Sequence, residues 1–244
     1  MSIRRATSFL AAISVVASSV VAYTAPSTQS KFTDVFTQAE LQYPVSVINA
    51  TSAELLDGFA APYFYLSKGL YMKFKISGSS NRCELRQLDL SGDLSAWACT
   101  GSTEHVATST ISIPVQADGL AEVTIMQIHD TLESPALRIS WVKNITIDGV
   151  TSEDVIIATI REGLETDSAT VKTVLQARTI SKTDYKITAQ NGEVTITVNG
   201  VTMLNQASIS AYSNSTCYFK AGAYNNNPTS EDAVARTKFY ALDW

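Results

Sequence analysis

The chain has 244 residues, enough for one domain with a substantial core, and carries a formal charge of -5 from 18 basic and 23 acidic side chains. That balance argues against a nucleic-acid partner, yet leaves room for an acidic polysaccharide, because basic residues gathered in a groove outweigh a modest global charge at contact distance. With two histidines, three cysteines and no CxxC pair, nothing has the spacing of a zinc site, and no metal or cofactor is expected.

In residues 1–22, Arg4 and Arg5 precede an apolar run from Phe9 to Val21 and then small residues around Ala22, the pattern of a signal peptide. The run is shorter than the roughly 20 residues that cross a bilayer, so a secreted, extracellular protein is expected, with no membrane partner. The mature chain then occupies residues 23–244 as a single domain, expected to be a monomer. Pro26–Gln29 reads as a linker and Phe32–Leu41 as a short helix. Thereafter β-branched and aromatic runs alternate with period two: Tyr63–Leu66, Leu70–Ile76, Arg82–Leu88, Ser109–Ile113, Ala121–His129, Leu137–Val142, Ile145–Ile147 and Val155–Arg161. The pattern continues at Val171–Leu175, Tyr185–Ala189, Glu193–Val198, Thr216–Tyr224 and Ala235–Leu242. Turn pairs Asp118-Gly119, Asp148-Gly149, Asn191-Gly192 and Asn199-Gly200 punctuate them. Many short strands and little helix predict an all-β fold, a β-jelly-roll sandwich of two antiparallel sheets.

Asn49, Asn144 and Asn214 each open an Asn-x-Ser/Thr sequon, an acceptor for glycosylation in a secreted protein. Three cysteines in an oxidising compartment permit one disulfide and one thiol. Cys83 and Cys99, the nearest in sequence, are the expected pair, leaving Cys217 free.

Three predicted strands carry chemistry that a core does not need. In Arg82-Cys83-Glu84-Leu85-Arg86, alternation puts three charges on one face. In Gln127-Ile128-His129 it pairs an amide with an imidazole, and in Tyr218-Phe219-Lys220-Ala221-Gly222-Ala223-Tyr224 it collects Tyr218, Lys220, Gly222 and Tyr224. A single strand of this kind is an ordinary half-solvated strand; three together point to a site. His105 falls in a predicted loop with no motif around it and reads as exposed and uninvolved.

These segments resemble the R-x-E-L-R, Q-[I/V]-H and Y-F-K-A-G-x-Y motifs of the alginate lyases of polysaccharide lyase family 7, in the same order, and the similarity runs from about Pro62 to near the C-terminus. The resemblance implies a concave substrate groove and β-elimination on a 4-linked uronate chain. It implies that Arg82 and Gln127 neutralise the substrate carboxylate, that His129 or Tyr224 takes the C5 proton, and that Tyr224 protonates the leaving oxygen. Arg86, Lys220 and Asn226 would bind substrate, Tyr218 would stack on a sugar ring, and Glu84 would orient Arg82 or Arg86. Ile128 within the second motif tilts the expectation toward guluronate-containing or mixed blocks cut endo-wise. Two departures are Asn226, where the family often has Gln, and Asp130, where Gly commonly follows the motif His. Rival readings are a lyase for another polyuronate such as glucuronan and a non-catalytic carbohydrate-binding jelly-roll. The pairing of an acid with a base, which binding alone does not need, speaks against the latter.

Overall fold

The computed structural model describes residues 22–131, 135–165, 167–226 and 228–244; apart from Ala22, the expected signal segment lies outside them. In chain order the described strands begin with β1 (Ala39–Gln42), β2 (Ile48–Ala50), β3 (Phe64–Ser67), β4 (Tyr71–Ile76), β5 (Arg82–Gln87) and β6 (Trp97–Ala98). There follow β7 (His105–Ser112), β8 (Glu122–Asp130), β9 (Pro135–Ile147), β10 (Val150–Arg161) and β11 (Thr170–Ala177). The last are β12 (Thr183–Gln190), β13 (Glu193–Val198), β14 (Val201–Ser208), β15 (Thr216–Asn226) and β16 (Ala235–Asp243). Two short helices, α1 (Thr33–Thr37) and α2 (Ser52–Leu56), precede β3.

The strands form two antiparallel sheets. One runs β11-β10-β9-β8-β15-β5-β1-β2, with β6 added to β15, and the other β14-β13-β12-β7-β16-β4-β3. Alternation explains why they stack: Leu85 of β5, Ile128 of β8, Phe219 and Ala221 of β15 turn to one side and are fully buried against Phe74, Ile187 and Phe239 of the facing sheet. Burying a side chain the size of Phe219 contributes about 2–3 kcal/mol, so the core fixes which face of each strand is left for chemistry. The dipeptides Asn191-Gly192 and Asn199-Gly200 close two-residue hairpins with positive φ at both positions, as read from sequence.

The predicted helix at Phe32–Leu41 is only half helix. It ends at Thr37, and residues 39–42 form β1 in antiparallel register with β5, from Ala39↔Gln87 to Gln42↔Glu84. Ala39 and Leu41 enter the core while Glu40 and Gln42 join the opposite face, so two-residue periodicity overrode the helical reading.

The disulfide also differs from expectation. Cys99 bonds Cys217, 118 residues apart in sequence, and Cys83 is the buried free thiol. On β5, Cys83 points into the core with its Sγ 3.4 Å from the Tyr63 carbonyl, whereas Trp97 of β6 pairs with Cys217 of β15 and brings Cys99 alongside. His105 is likewise not a free loop residue: it opens β7 and stacks on Trp97 at 4.4 Å, lining a separate cavity with Trp97 and Phe219.

Candidate active site

The three motif strands become neighbours in the larger sheet, β15 in the middle with β5 on one side and β8 on the other. Their register lays the polar side chains in rows across the outer face. One row runs Glu40, Arg86, Lys220, Gln127, Arg138, Thr159. A second pairs Tyr218 with His129, and a third runs Arg82, Tyr224, Thr124, Ser140. Gly222 lies opposite Glu84, and a Cβ there would stand 2.2 Å from the Cys83 carbonyl oxygen and 2.7 Å from Glu84 Cα. Only glycine lets β15 and β5 approach that closely, and beside it a bulge shifts the register between Ala221 and Tyr224 against β8.

Glu84 organises the middle of the face. It is fully buried, accepts from Gln127 Nε2, forms an ion pair with Lys220 Nζ at 2.9 Å, and lies 3.7 Å from Arg82 Nη1. Burial would raise its pKa, but Lys220 and Arg82 outweigh that and hold the carboxyl ionised, below the usual range. Lys220 is 2% exposed, and burial pulls its ammonium down to about 8 against the opposing pull of Glu84. The side chain expected to meet substrate carboxylates thus has its charge directed at Glu84. Arg86 takes a different carboxylate, Glu40, at 3.9 Å.

The arginines rest on rings. Arg82 lies 4.5 Å from the centroid of Tyr224, and Arg86 lies 4.2 Å from that of Tyr218. The Nε atoms of both are buried with no hydrogen-bond partner, two donors held on a site face. His129 stacks on Tyr218 at 5.4 Å, and its Nδ1 lies 2.7 Å from the Asp130 carbonyl and 3.2 Å from the Tyr218 hydroxyl. A carbonyl only accepts, so Nδ1 carries the hydrogen and Nε2 presents the lone pair. Burial, then Lys220 and Arg82, lower the His129 pKa to about 4, so the imidazole is neutral and able to accept a proton at ordinary pH. Burial raises the Tyr218 phenol above its usual value.

Arg82, Arg86, His129, Asp130, Tyr218 and Lys220 line one groove of about 510 Å³. Gln127, Tyr224, Glu84 and Asn226 are not in its lining, and Asn226 is buried and donates to Thr124 Oγ1 (2.7 Å) and Glu122 Oε1 (3.2 Å), within a polar network that includes Ser140. Asn49, Asn144 and Asn214 are all exposed. Glu40, Gln42 and Arg138 were missed from sequence. Glu40 and Gln42 were hidden by the helical reading of β1, and the alternation Leu137-Arg138-Ile139 did carry the signal for Arg138. Among the described residues no cluster of three or more His, Cys, Asp or Glu could hold a metal, and no helix is long and apolar enough to cross a membrane.

A family model described as alginate lyase matches residues 35–244. Among solved structures the chain is similar to alginate lyase AlyC3, at 19% identity over 91% of this chain and 94% of that one, with a TM-score of 0.74. It is similar to alginate lyase A1-II', a member of polysaccharide lyase family 7, at 21% identity over 87% and 96%, with a TM-score of 0.71. Alginate lyase AlgAT5 of the same family gives 25% identity over 86% and 96%, with a TM-score of 0.65. AlyC3 has also been solved with dimannuronate, and a variant of A1-II' with a product, GGG. No match is found among curated protein sequences.

Proposed function

The chain belongs to the alginate lyases of polysaccharide lyase family 7, and we propose that it is a secreted, endo-acting member that cleaves guluronate-containing or mixed alginate through Arg82, Gln127, His129 and Tyr224. The observation that carries the assignment of residues is the meeting of three sequence-distant motifs on adjacent strands of one face: carboxylate-binding donors stand beside a neutral imidazole and a phenol.

The C5 proton of a uronate is barely acidic while the adjoining carboxylate is ionised, so the first requirement is to meet the charge that develops on that carboxylate. Arg82, with its guanidinium held on the Tyr224 ring, supplies a fork for it. Gln127 has one amide hydrogen committed to Glu84, which fixes its orientation and leaves the second as donor. His129 Nε2 then accepts the C5 proton, the electron pair forms the C4–C5 double bond, and the C4–O4 bond breaks toward the leaving oxygen, which takes a proton from Tyr224. On mannuronate, where both groups lie on the same side, Tyr224 serves as base and acid in turn. Polar side chains extend on both sides of Gln127, from Glu40 to Thr159, which suits a polymer bound in its interior and supports endo action. The Cys99–Cys217 disulfide and three exposed sequons support secretion.

The test is the ultraviolet absorbance of the unsaturated product, followed on polyguluronate, polymannuronate and glucuronan with the wild-type chain and Tyr224→Phe. A rise on an alginate block, reduced at least about 100-fold in the variant, is expected for loss of a general acid. A rise confined to glucuronan overturns the substrate, and full activity in Tyr224→Phe overturns the assignment of the acid.

A further inference from the structure

Arg138 belongs to none of the three motifs, yet the register places it in the same row as Arg86, Lys220 and Gln127, directly beside Gln127 on the neighbouring strand β9. We propose that Arg138 is a second carboxylate anchor, holding a uronate on the far side of Gln127 and His129 from Arg82 and Arg86, so that the chain is gripped by cations on both sides of the sugar that reacts. The inference rests on the lyase reading above.

Each of the other arginines of this sheet and its rim has a protein carboxylate or carbonyl within 4 Å, Arg82 and Arg86 at ion-pair distance only. Arg178 makes a paired contact with Asp154 at 2.6 and 2.7 Å, Arg161 donates to the Glu165 carbonyl, Arg86 faces Glu40, and Arg82 faces Glu84. Arg138 is half-buried and has no hydrogen bond or ion pair among the described residues. Its row neighbours are Gln127 and Thr159, and the next residue on its own face of β9 is Ser140, all uncharged. A partly desolvated guanidinium with no anion beside it among the described residues is a fork ready for an anion from outside, and carboxylate geometry matches it bidentately.

Spacing gives the anchor its meaning. From β5 to β9 is three strand separations, roughly 14 Å, more than the width of a single sugar ring. Lys220, which lies between, has its ammonium turned to Glu84, so the row offers a substrate one cation at each end and a neutral amide in the middle. A chain crossing the strands along this row therefore meets Arg138 only if it extends past the reacting sugar on the β9 side. The anchor rewards length.

The experiment compares wild type with Arg138→Gln and Arg138→Lys on alginate oligomers of increasing length and on polymer, reading KM and kcat separately at low and high salt. For Arg138→Gln the expected result on polymer is a KM raised roughly tenfold or more, as for loss of one charge-assisted hydrogen bond, with a smaller change in kcat and a weaker salt dependence. The rise should vanish on the shortest oligomers that are still cleaved, and Arg138→Lys should recover part of the affinity while losing the bidentate fit. A wild-type KM on polymer, or a KM raised equally at every length, overturns the anchor. Should Arg138→Gln fold poorly, the Lys variant carries the same length comparison. Absence of any elimination by the wild-type chain would instead overturn the lyase reading, so the two failures are distinguishable.

Discussion

The buried pair at the centre of the site invites a double-mutant cycle of Glu84→Gln and Lys220→Met. Glu84 is wholly buried and Lys220 is 2% exposed, at 2.9 Å from each other. Removing one member of such a pair leaves the other as an uncompensated buried charge, at a cost of about 3–5 kcal/mol. The two singles should differ, because the survivors differ. In Glu84→Gln the remaining Lys220, whose pKa is already about 8, can shed its proton; one unit of displacement at pH 7 is about 1.4 kcal/mol, so we expect roughly 2–3 kcal/mol in all. In Lys220→Met the remaining Glu84 still has Arg82 at 3.7 Å but no direct ammonium, and the cost should reach about 3–5 kcal/mol.

The double variant replaces the ion pair with an amide and a thioether of similar volume and should lose only about 1–2 kcal/mol, since well-packed neutral groups often match a buried pair. Urea unfolding followed by tryptophan fluorescence and circular dichroism gives all four stabilities. A coupling energy of about 3 kcal/mol or more would support the pair as the organising contact. Singles that add to the double within about 0.5 kcal/mol would refute it, as would a Glu84→Gln penalty that does not shrink between pH 7 and 9, where Lys220 becomes neutral.

Acid should destabilise the chain through His129 in a defined window. An unfolded imidazole binds its proton near 6.5 whereas the folded one is held at about 4, so between these values the unfolded state binds more protons and stability falls as pH falls, by up to ~3 kcal/mol. Thermal unfolding across pH 7 to 4 should show this slope in wild type and a flatter one in His129→Gln; equal slopes would refute the burial of a neutral imidazole. Opening the Cys99–Cys217 bond, by Cys99→Ser or by reductant, frees a loop of 118 residues and should cost about 4–5 kcal/mol on the chain-entropy model, read as a fall in the urea midpoint. An unchanged midpoint would show that the unfolded chain gains nothing from release.

Strands whose faces alternate strictly were legible, and so was the site they carry. On β15 the core residues Phe219, Ala221 and Ala223 interleave with Tyr218, Lys220 and Tyr224, and nothing in the tertiary structure had to intervene to orient them. Strand β1 was not legible, because its four residues follow directly on a helical turn, and only its pairing with β5 decides their periodicity. Strand β14 escaped for the opposite reason. Val201–Ser208 is mostly exposed on both faces, with a positive φ at Gln206, so it lacks the alternation that marks a half-buried strand. The disulfide was misread because nearness in sequence says nothing about nearness across a sheet: Cys83 lies opposite Ala223 near one end of β15 and Cys99 beside Ser215 at the other, while Cys217 returns beside Cys99 from far along the chain.

The arrangement of charges explains how an acidic protein can hold a polyanion. Each cation of the three motifs is met by a partner that holds it in place: Arg82 by the Tyr224 ring and Glu84, Arg86 by the Tyr218 ring and Glu40, Lys220 by Glu84. A tyrosine face attracts a guanidinium without cancelling its charge, so those two arginines stay available to a carboxylate while their positions are fixed. A buried carboxylate at hydrogen-bond distance does cancel charge, and Lys220 is accordingly the cation withdrawn from the substrate. The spacing of the motifs follows from this division. Arg82 and Arg86 stand four residues apart on β5, Tyr224 and Tyr218 six apart on β15; Tyr224 lies directly across from Arg82, whereas Tyr218 reaches Arg86 diagonally, and Lys220 and Gly222 fill the interval opposite Arg86 and Glu84. Moving any one of these residues by a single position would turn it into the core, which is why the chemistry of the site is written in strands rather than in loops.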